Sequence, residues 1–242
     1  MSTAEKDTLM HASRRDVLKA SAALTIAFWL PAGRAMANGS TAAFAPNAFI
    51  RIGTDGIVTV VSKHMEMGQG AYTGLATIVA EELDADWTKV RVDGAPADVE
   101  RYNNLNFGAT PVMGTGGSSS IANSFDQLRT AGATARAMLV AAAAQKWSVP
   151  AAEITIADSV VSHAKSGRSA GFGELAAAAA KLPVPTDVKP KDPAQYKLIG
   201  RNIPRVDSRD KSTGKAMFTQ DVRLPGMLTA VVLHPPRFGA KV

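Results

Sequence analysis

The chain has 242 residues, 27 Lys+Arg against 21 Asp+Glu for a net charge of +6, and 46% hydrophobic residues. That is enough apolar material for a packed core, and the basic excess is spread without clusters, which argues against nucleic acid as a partner. No Cys is present, so disulfides, thiolate zinc sites and an iron–sulfur cluster held by this chain are excluded.

In chain order, Ser13-Arg14-Arg15-Asp16-Val17-Leu18-Lys19 precedes an apolar run from Ala20 to Leu30, and Ala35-Met36-Ala37 closes it as an A-x-A cleavage site. The run is about a dozen residues, with Thr25 inside and Pro31 at its end, short of the roughly 20 needed to cross a bilayer. Residues 1–37 resemble a twin-arginine export signal, with Val17 where an aromatic residue or leucine is usual. The expectation is a periplasmic protein exported already folded, a route often taken by proteins that acquire a cofactor in the cytoplasm. Residues 38–47 (NGSTAAFAPN) read as a polar linker.

From 48 to 182 the pattern predicts an α+β domain. Ile57 to Ser62 is a β-branched strand bounded by the turn signal Thr54-Asp55-Gly56. EMGQG at 66–70 follows, then a helix marked by Leu75, Ile78, Val79 and Leu83. Gly68 and Gly70 allow close backbone approach to a ligand, the helix's first amides point at it, and the Gln69 amide donates and accepts at once. The bland alternative is an ordinary strand–helix turn in which Gln69 bonds its own backbone. His64 and Glu66, two apart, could share a strand face as metal ligands, but with no third ligand nearby they read as a satisfied polar pair.

A strand at Val90 to Val92 and a loop from Gly94 to Gly117 lead to a second glycine turn, GTGGSSS at 114–120. It opens the longest helix, to Trp147, whose Ile121, Phe125, Leu128, Gly132, Ala135, Leu139 and Ala142 form one apolar seam. Gly132 in that seam predicts close contact with another backbone. Gly116 and Gly117 leave room for a phosphate at the helix's positive end, and Ser118, Ser119 and Ser120 are candidate caps. A dinucleotide fingerprint fails here: no third glycine follows Gly116 at the required spacing, Pro111 stands where a strand should run, and no acidic residue lies at the usual distance. Ile154 to Ala157 and Val160 to Ser162 predict a hairpin about Asp158-Ser159, and an alanine-rich helix starts at Gly173. Residues 183–197 (PVPTDVKPKDPAQYK) read as a linker at a domain boundary, after which Leu228 to Leu233 is strand-like.

The segment GIVTVVSKHMEMGQGAYTGLATIVAEEL, the TPVMGTGGSSS turn with its long helix, and the block YKLIGRNIPRVDSRDKSTGKAMFTQDVRLPGMLTAVVLHPPRFGA together resemble the molybdopterin-binding large chain of the xanthine dehydrogenase and aldehyde oxidase family, in the branch of the isoquinoline 1-oxidoreductase β subunits. The resemblance covers nearly all of the chain after residue 37. It implies a cofactor-binding subdomain over 48–182 and, over 198–242, the start of a hammerhead domain cut short. It further implies a molybdenum–molybdopterin cofactor in its cytosine dinucleotide form, bound through Gly68, Gln69 and Gly70 and through Gly116, Gly117 and Ser118. The implied reaction is oxidation of an aldehyde or N-heterocycle with water-derived oxygen. Electrons would pass to a small iron–sulfur subunit and, at the membrane surface, a cytochrome c subunit. The family's activating glutamate lies near the far C-terminus of subunits several hundred residues long, so no catalytic residue is assigned in this chain and the chain alone is expected to be inactive. The alternative is an exported, non-enzymatic cofactor-binding or assembly protein.

Overall fold

The computed structural model describes residues 24–27, 48–108 and 111–240. Most of the expected export signal and the linker at 38–47 lie outside these. Two compact units result, one ending at Val206 and one spanning Asp207–Val242.

The first unit is built on a four-stranded sheet in the order β1-β2-β3-β4, with β1 Leu24–Ala27, β2 Ala48–Ile52, β3 Val58–Ser62 and β4 Val90–Gly94. β1 lies inside the expected export signal and pairs antiparallel with β2 from Leu24↔Ile52 to Ala27↔Ala48. β2 and β3 are antiparallel, joined by a turn in which Asp55 Oδ1 accepts the Ile57 N–H at 2.9 Å. β3 and β4 are parallel in register Val58↔Val90 to Ser62↔Gly94, and a parallel pair needs a crossover. The crossover is α1, Ala71–Leu83, with Leu75, Ile78, Val79 and Leu83 all buried as their spacing requires.

After β4 the expected loop carries two short pieces of structure: α2, Val99–Tyr102, and a 3-10 turn, Leu105–Phe107. The Tyr102 ring meets Phe49 edge-on at 5.6 Å between centroids, anchoring α2 to the sheet. The long helix α3, Ser119–Trp147, packs along α1. Leu128, Gly132, Ala135, Leu139 and Ala142 are buried, whereas Ile121 is exposed. Gly132 is the close approach its sequence position implied: a Cβ there would stand 2.6 Å from Glu82 Cβ and 3.2 Å from the Val79 carbonyl oxygen.

A second sheet follows, in the order β5-β6-β7. β5 Ile154–Ala157 and β6 Val160–His163 form the expected hairpin. Asp158 and Ser159 both have positive φ, 46° and 63°, the backbone twist that a two-residue hairpin turn favours. β7 Arg168–Gly171 adds a third antiparallel strand that the sequence reading lacked, and α4 Phe172–Ala179 closes this layer.

The proline-rich stretch at 183–197 does not mark the end of the compact unit. Glu81 Oε2, on the buried face of α1, accepts the N–H groups of Lys197, Leu198 and Ile199 at 2.9, 2.6 and 3.1 Å. Lys191 N–H donates to Glu82 Oε2 at 2.7 Å, and its Nζ lies 2.9 Å from both Glu81 Oε1 and Asp84 Oδ1. The chain from 191 to 206 is thus strapped onto α1.

The second unit contains α5, Ser208–Ser212, and a 3-10 turn, Thr219–Asp221. The strand expected at Leu228 to Leu233 does not form: these residues have no strand pairing, and Leu228 and Leu233 are 91% and 92% exposed. A short β-prone run such as Leu228 to Leu233 makes a strand only when another edge is present to receive its hydrogen bonds.

Candidate functional site

The two glycine turns, 44 or more residues apart in sequence, stand side by side. β3 leads into the first and α3 starts at the second. Three links join them. Met65 N–H donates to Thr115 Oγ1 at 2.9 Å. His64 Nε2 lies 3.2 Å from Asn123 Oδ1 on α3. Ile121 packs where Gly74 has no side chain, so closely that a Cβ at 74 would meet its Cδ1 at 2.8 Å.

Glu66 closes the first turn from inside. Its Oε1 accepts the Gly68 and Gly70 N–H groups at 2.7 and 3.0 Å, and its Oε2 accepts Tyr72 N–H at 3.0 Å. Arg205 braces it, Nη2 donating to Glu66 Oε1 at 3.2 Å and Nη1 to the Gly68 carbonyl at 3.0 Å. The carboxylate therefore occupies the positive end of α1, where the sequence suggested an external anion. His64 and Glu66 hold different partners, and among the described residues no group of three or more His, Cys, Asp or Glu is placed to hold a metal.

Gln69 is also engaged by its own turn. Its Nε2 donates to the Met65 carbonyl at 2.8 Å and its Oε1 accepts Met67 N–H at 2.6 Å. Serving a ligand would require this side chain to exchange those bonds. The glycines on either side remain open: Gly68 and Gly70 have φ of 107° and 94°, and a Cβ on either meets no atom within 4 Å.

The second turn leaves its helix end free. Ser118 has a left-handed backbone, φ 55°, and its side chain makes no cap. Ser119 Oγ is spoken for, donating to the Gly116 carbonyl and receiving Asn104 Nδ2, both at 2.7 Å. Neither hydroxyl reaches the amides it was expected to cap, because a left-handed residue at 118 turns its side chain out of line with them. Gly117, φ 61°, faces open space, and a Cβ at Gly116 would meet only Phe107 Cζ at 3.9 Å. Of two possible anion sites at helix ends, one is filled by Glu66 and the other is open.

Two buried bases lie beneath the turns. Burial pulls the His64 imidazole below its ordinary value, opposed by the Asn123 bond and reinforced by Lys63, so the ring is neutral at pH 7. Lys63 is 6% exposed, and burial lowers its ammonium to about 8. Among the described residues Lys63 has no carboxylate within ion-pair distance. A cleft of about 650 Å³ opens elsewhere, at the C-terminal end of α1, lined by Glu82, Asp84, Arg136, Lys191 and Lys197 among others. Its charges neutralise one another, Asp84 alone pairing with Arg136, Lys191 and Lys197, which makes it a structural seam.

Thr115, Asn104, Asn123 and Arg205 were invisible as site residues in the sequence. Each is an isolated polar residue whose partner lies far along the chain, and no spacing rule links them.

Residues 8–221 match the family model described as the molybdopterin cofactor-binding domain. The chain is 39% identical over 233 residues to the beta chain of isoquinoline 1-oxidoreductase from Brevundimonas diminuta, covering 83% of this chain and 30% of that one. It is 37% identical over 192 residues to one of the subunits of nicotinate dehydrogenase from Pseudomonas putida, covering 79% and 15%. To the membrane-bound aldehyde dehydrogenase [pyrroloquinoline-quinone] of Gluconacetobacter polyoxogenes it is 33% identical over 213 residues, covering 83% and 25%. The chain thus spans less than a third of the length of each of these relatives.

Proposed function

The chain belongs to the molybdopterin cofactor-binding domain family, and from that premise we propose that its two glycine turns form one wall of a molybdenum–pterin site in the large subunit of a molybdenum hydroxylase. The observation that carries this is their juxtaposition, held by Met65–Thr115 and His64–Asn123, with glycine faces and an uncapped helix end on the open side.

In this reading the cofactor, when bound, supplies the redox chemistry, oxidising an aldehyde or an N-heterocycle with oxygen taken from water. The residues of this chain bind and orient. Gly116, Gly117 and Ser118 offer backbone amides at the positive end of α3 to a phosphate of the cofactor, the cytosine dinucleotide form being proposed. Gly68 and Gly70 let its ring system approach the first turn, with Gln69 as the adjoining amide. Because Glu66 already fills the end of α1, the anionic part of the cofactor is directed to the second turn. No residue here is proposed as catalytic. The rest of the site is proposed to come from the region in which the relatives extend beyond this match, with 198–242 as the opening of a hammerhead domain. An iron–sulfur subunit is proposed to take the electrons, and export to the periplasm by the twin-arginine route is proposed from Arg14-Arg15 and the apolar run after them.

The test is metal and pterin content. In a host that makes the cofactor, this match region carried within a full-length subunit should retain molybdenum at near one per chain, and the 242 residues alone should not. Gly116→Leu, at a position without positive φ, fills the cradle without straining the backbone and should abolish retention while leaving the melting temperature nearly unchanged. Stoichiometric molybdenum in the Gly116→Leu protein would refute the reading.

A further inference from the structure

We propose that Arg205 is a positioning residue that aims the backbone of the first glycine turn, and that the strap from 191 to 206 sets its reach. The proposal rests on the cradle reading only for its consequence, not for its geometry.

The strap is tied to α1 at both ends. At the C-terminal end Glu81 holds three successive amides, and Glu81, Glu82 and Asp84 together hold Lys191. At the other end Val206 N–H donates to Thr73 Oγ1 at 3.2 Å, in the first turn of α1, while Trp87 Nε1 donates to the Pro204 carbonyl at 3.2 Å. Gly200, φ 81°, makes the bend between the two ties.

So fixed, Arg205 spreads its planar fork across the Gly68 carbonyl and the Glu66 carboxylate. In a planar trans peptide the N–H of one residue points opposite to the carbonyl of the residue before it. Drawing the Gly68 carbonyl toward Arg205 therefore turns the Gln69 N–H away from it. Gln69 is exposed, and among the described residues its N–H has no partner. The strap thus presents one unpaired backbone donor on the open side of the turn, suited to an acceptor edge of a ring system or to an anionic oxygen. Lysine could not hold both oxygens with one fixed fork, so the geometry is specific to arginine.

Amide hydrogen exchange on the 242-residue chain tests the geometry. Arg205→Gln should raise exchange at Gly68 and Gly70 by roughly fivefold, the scale of a part-exposed ion-paired contact, with the amides of Val60 and Leu139 unchanged. Inserting two glycines after Gly200 leaves Arg205 and both ties intact but slackens the strap, and should raise exchange at the same two amides. Unchanged exchange at Gly68 and Gly70 in either variant overturns the proposal. The consequence is tested in a full-length subunit, where Arg205→Gln should lower bound molybdenum severalfold and Arg205→Lys should restore only part. If exchange rises but molybdenum stays, the positioning role is overturned while the cradle stands. If Gly116→Leu also keeps its molybdenum, the cradle reading itself is at fault.

Discussion

Glu81→Gln separates the strap's ion pair from its hydrogen bonds. The side chain is fully buried, one oxygen taken by three strap amides and the other by Lys191. Glutamine keeps the shape, and its carbonyl oxygen still accepts from the amides, but its NH₂ then faces the Lys191 ammonium, donor against donor. Breaking a buried pair by removing one partner costs about 3–5 kcal/mol. Lys191 keeps Asp84 at 2.9 Å, so the loss here is smaller, about 2–3 kcal/mol. The difference should depend on pH. Burial opposes ionisation of Glu81, but the Lys191 bond and the amides of Leu198, Ile199 and Lys197 outweigh it and hold the carboxyl below its ordinary 4.5. A lowered carboxyl pKa contributes stability that is complete above the unfolded value and disappears as pH falls through the folded one. Urea unfolding should therefore show the full deficit at pH 7 and a shrinking one below about 4. A loss under about 0.5 kcal/mol, or a deficit that persists unchanged into acid, would refute this account of the strap.

Three further outcomes are expected. Gly132→Ala adds a methyl group 2.6 Å from Glu82 Cβ, an overpacking of about 1–3 kcal/mol against a helix-propensity gain of about 0.5–1, so the melting temperature should fall, and a rise would show that α1 and α3 separate freely. Lys63→Met should stabilise the chain at pH 7. Since the ammonium drops from 10.5 to about 8 on folding, the wild type gains stability as pH rises between those values, so the mutant's advantage should be full below 8 and vanish above 10.5. An advantage independent of pH in unfolding titrations would contradict this. Replacing Arg14 and Arg15 together by Lys keeps the charge and should trap the protein in the cytoplasm. Fractionation showing undiminished periplasmic material would remove the export proposal.

Local chemistry made part of this fold readable. The hairpin about Asp158-Ser159 and the α1 stripe depend on residues within a few positions, and although Gly132 meets α1 some 50 residues upstream, the missing Cβ in an apolar seam marks the close approach by itself. β7 did not show because Arg168-Ser169-Ala170-Gly171 has no β-branched residue, and only pairing with β6 makes it a strand. The strap looks like a linker in sequence because proline and charge are abundant in both, and what distinguishes them is a buried Glu81 more than a hundred residues upstream. At the site, the positions of the two turns were legible but not their occupancy. Glu66 and Gln69 satisfy the first turn internally, and serines beside the second do not cap it. Such choices turn on left-handed backbone angles that composition does not reveal.

Both turns sit at the N-termini of helices, and those helices touch at Gly132, about four helical turns from the start of α3. The spacing of the two helices behind the turns is therefore set there as well as at the turns themselves, where Met65–Thr115, His64–Asn123 and the Gly74–Ile121 contact tie them directly. A methyl group at that crossing would act as a wedge behind a pair of jaws, prising the helix backbones apart and loading the three links that hold the glycine turns together.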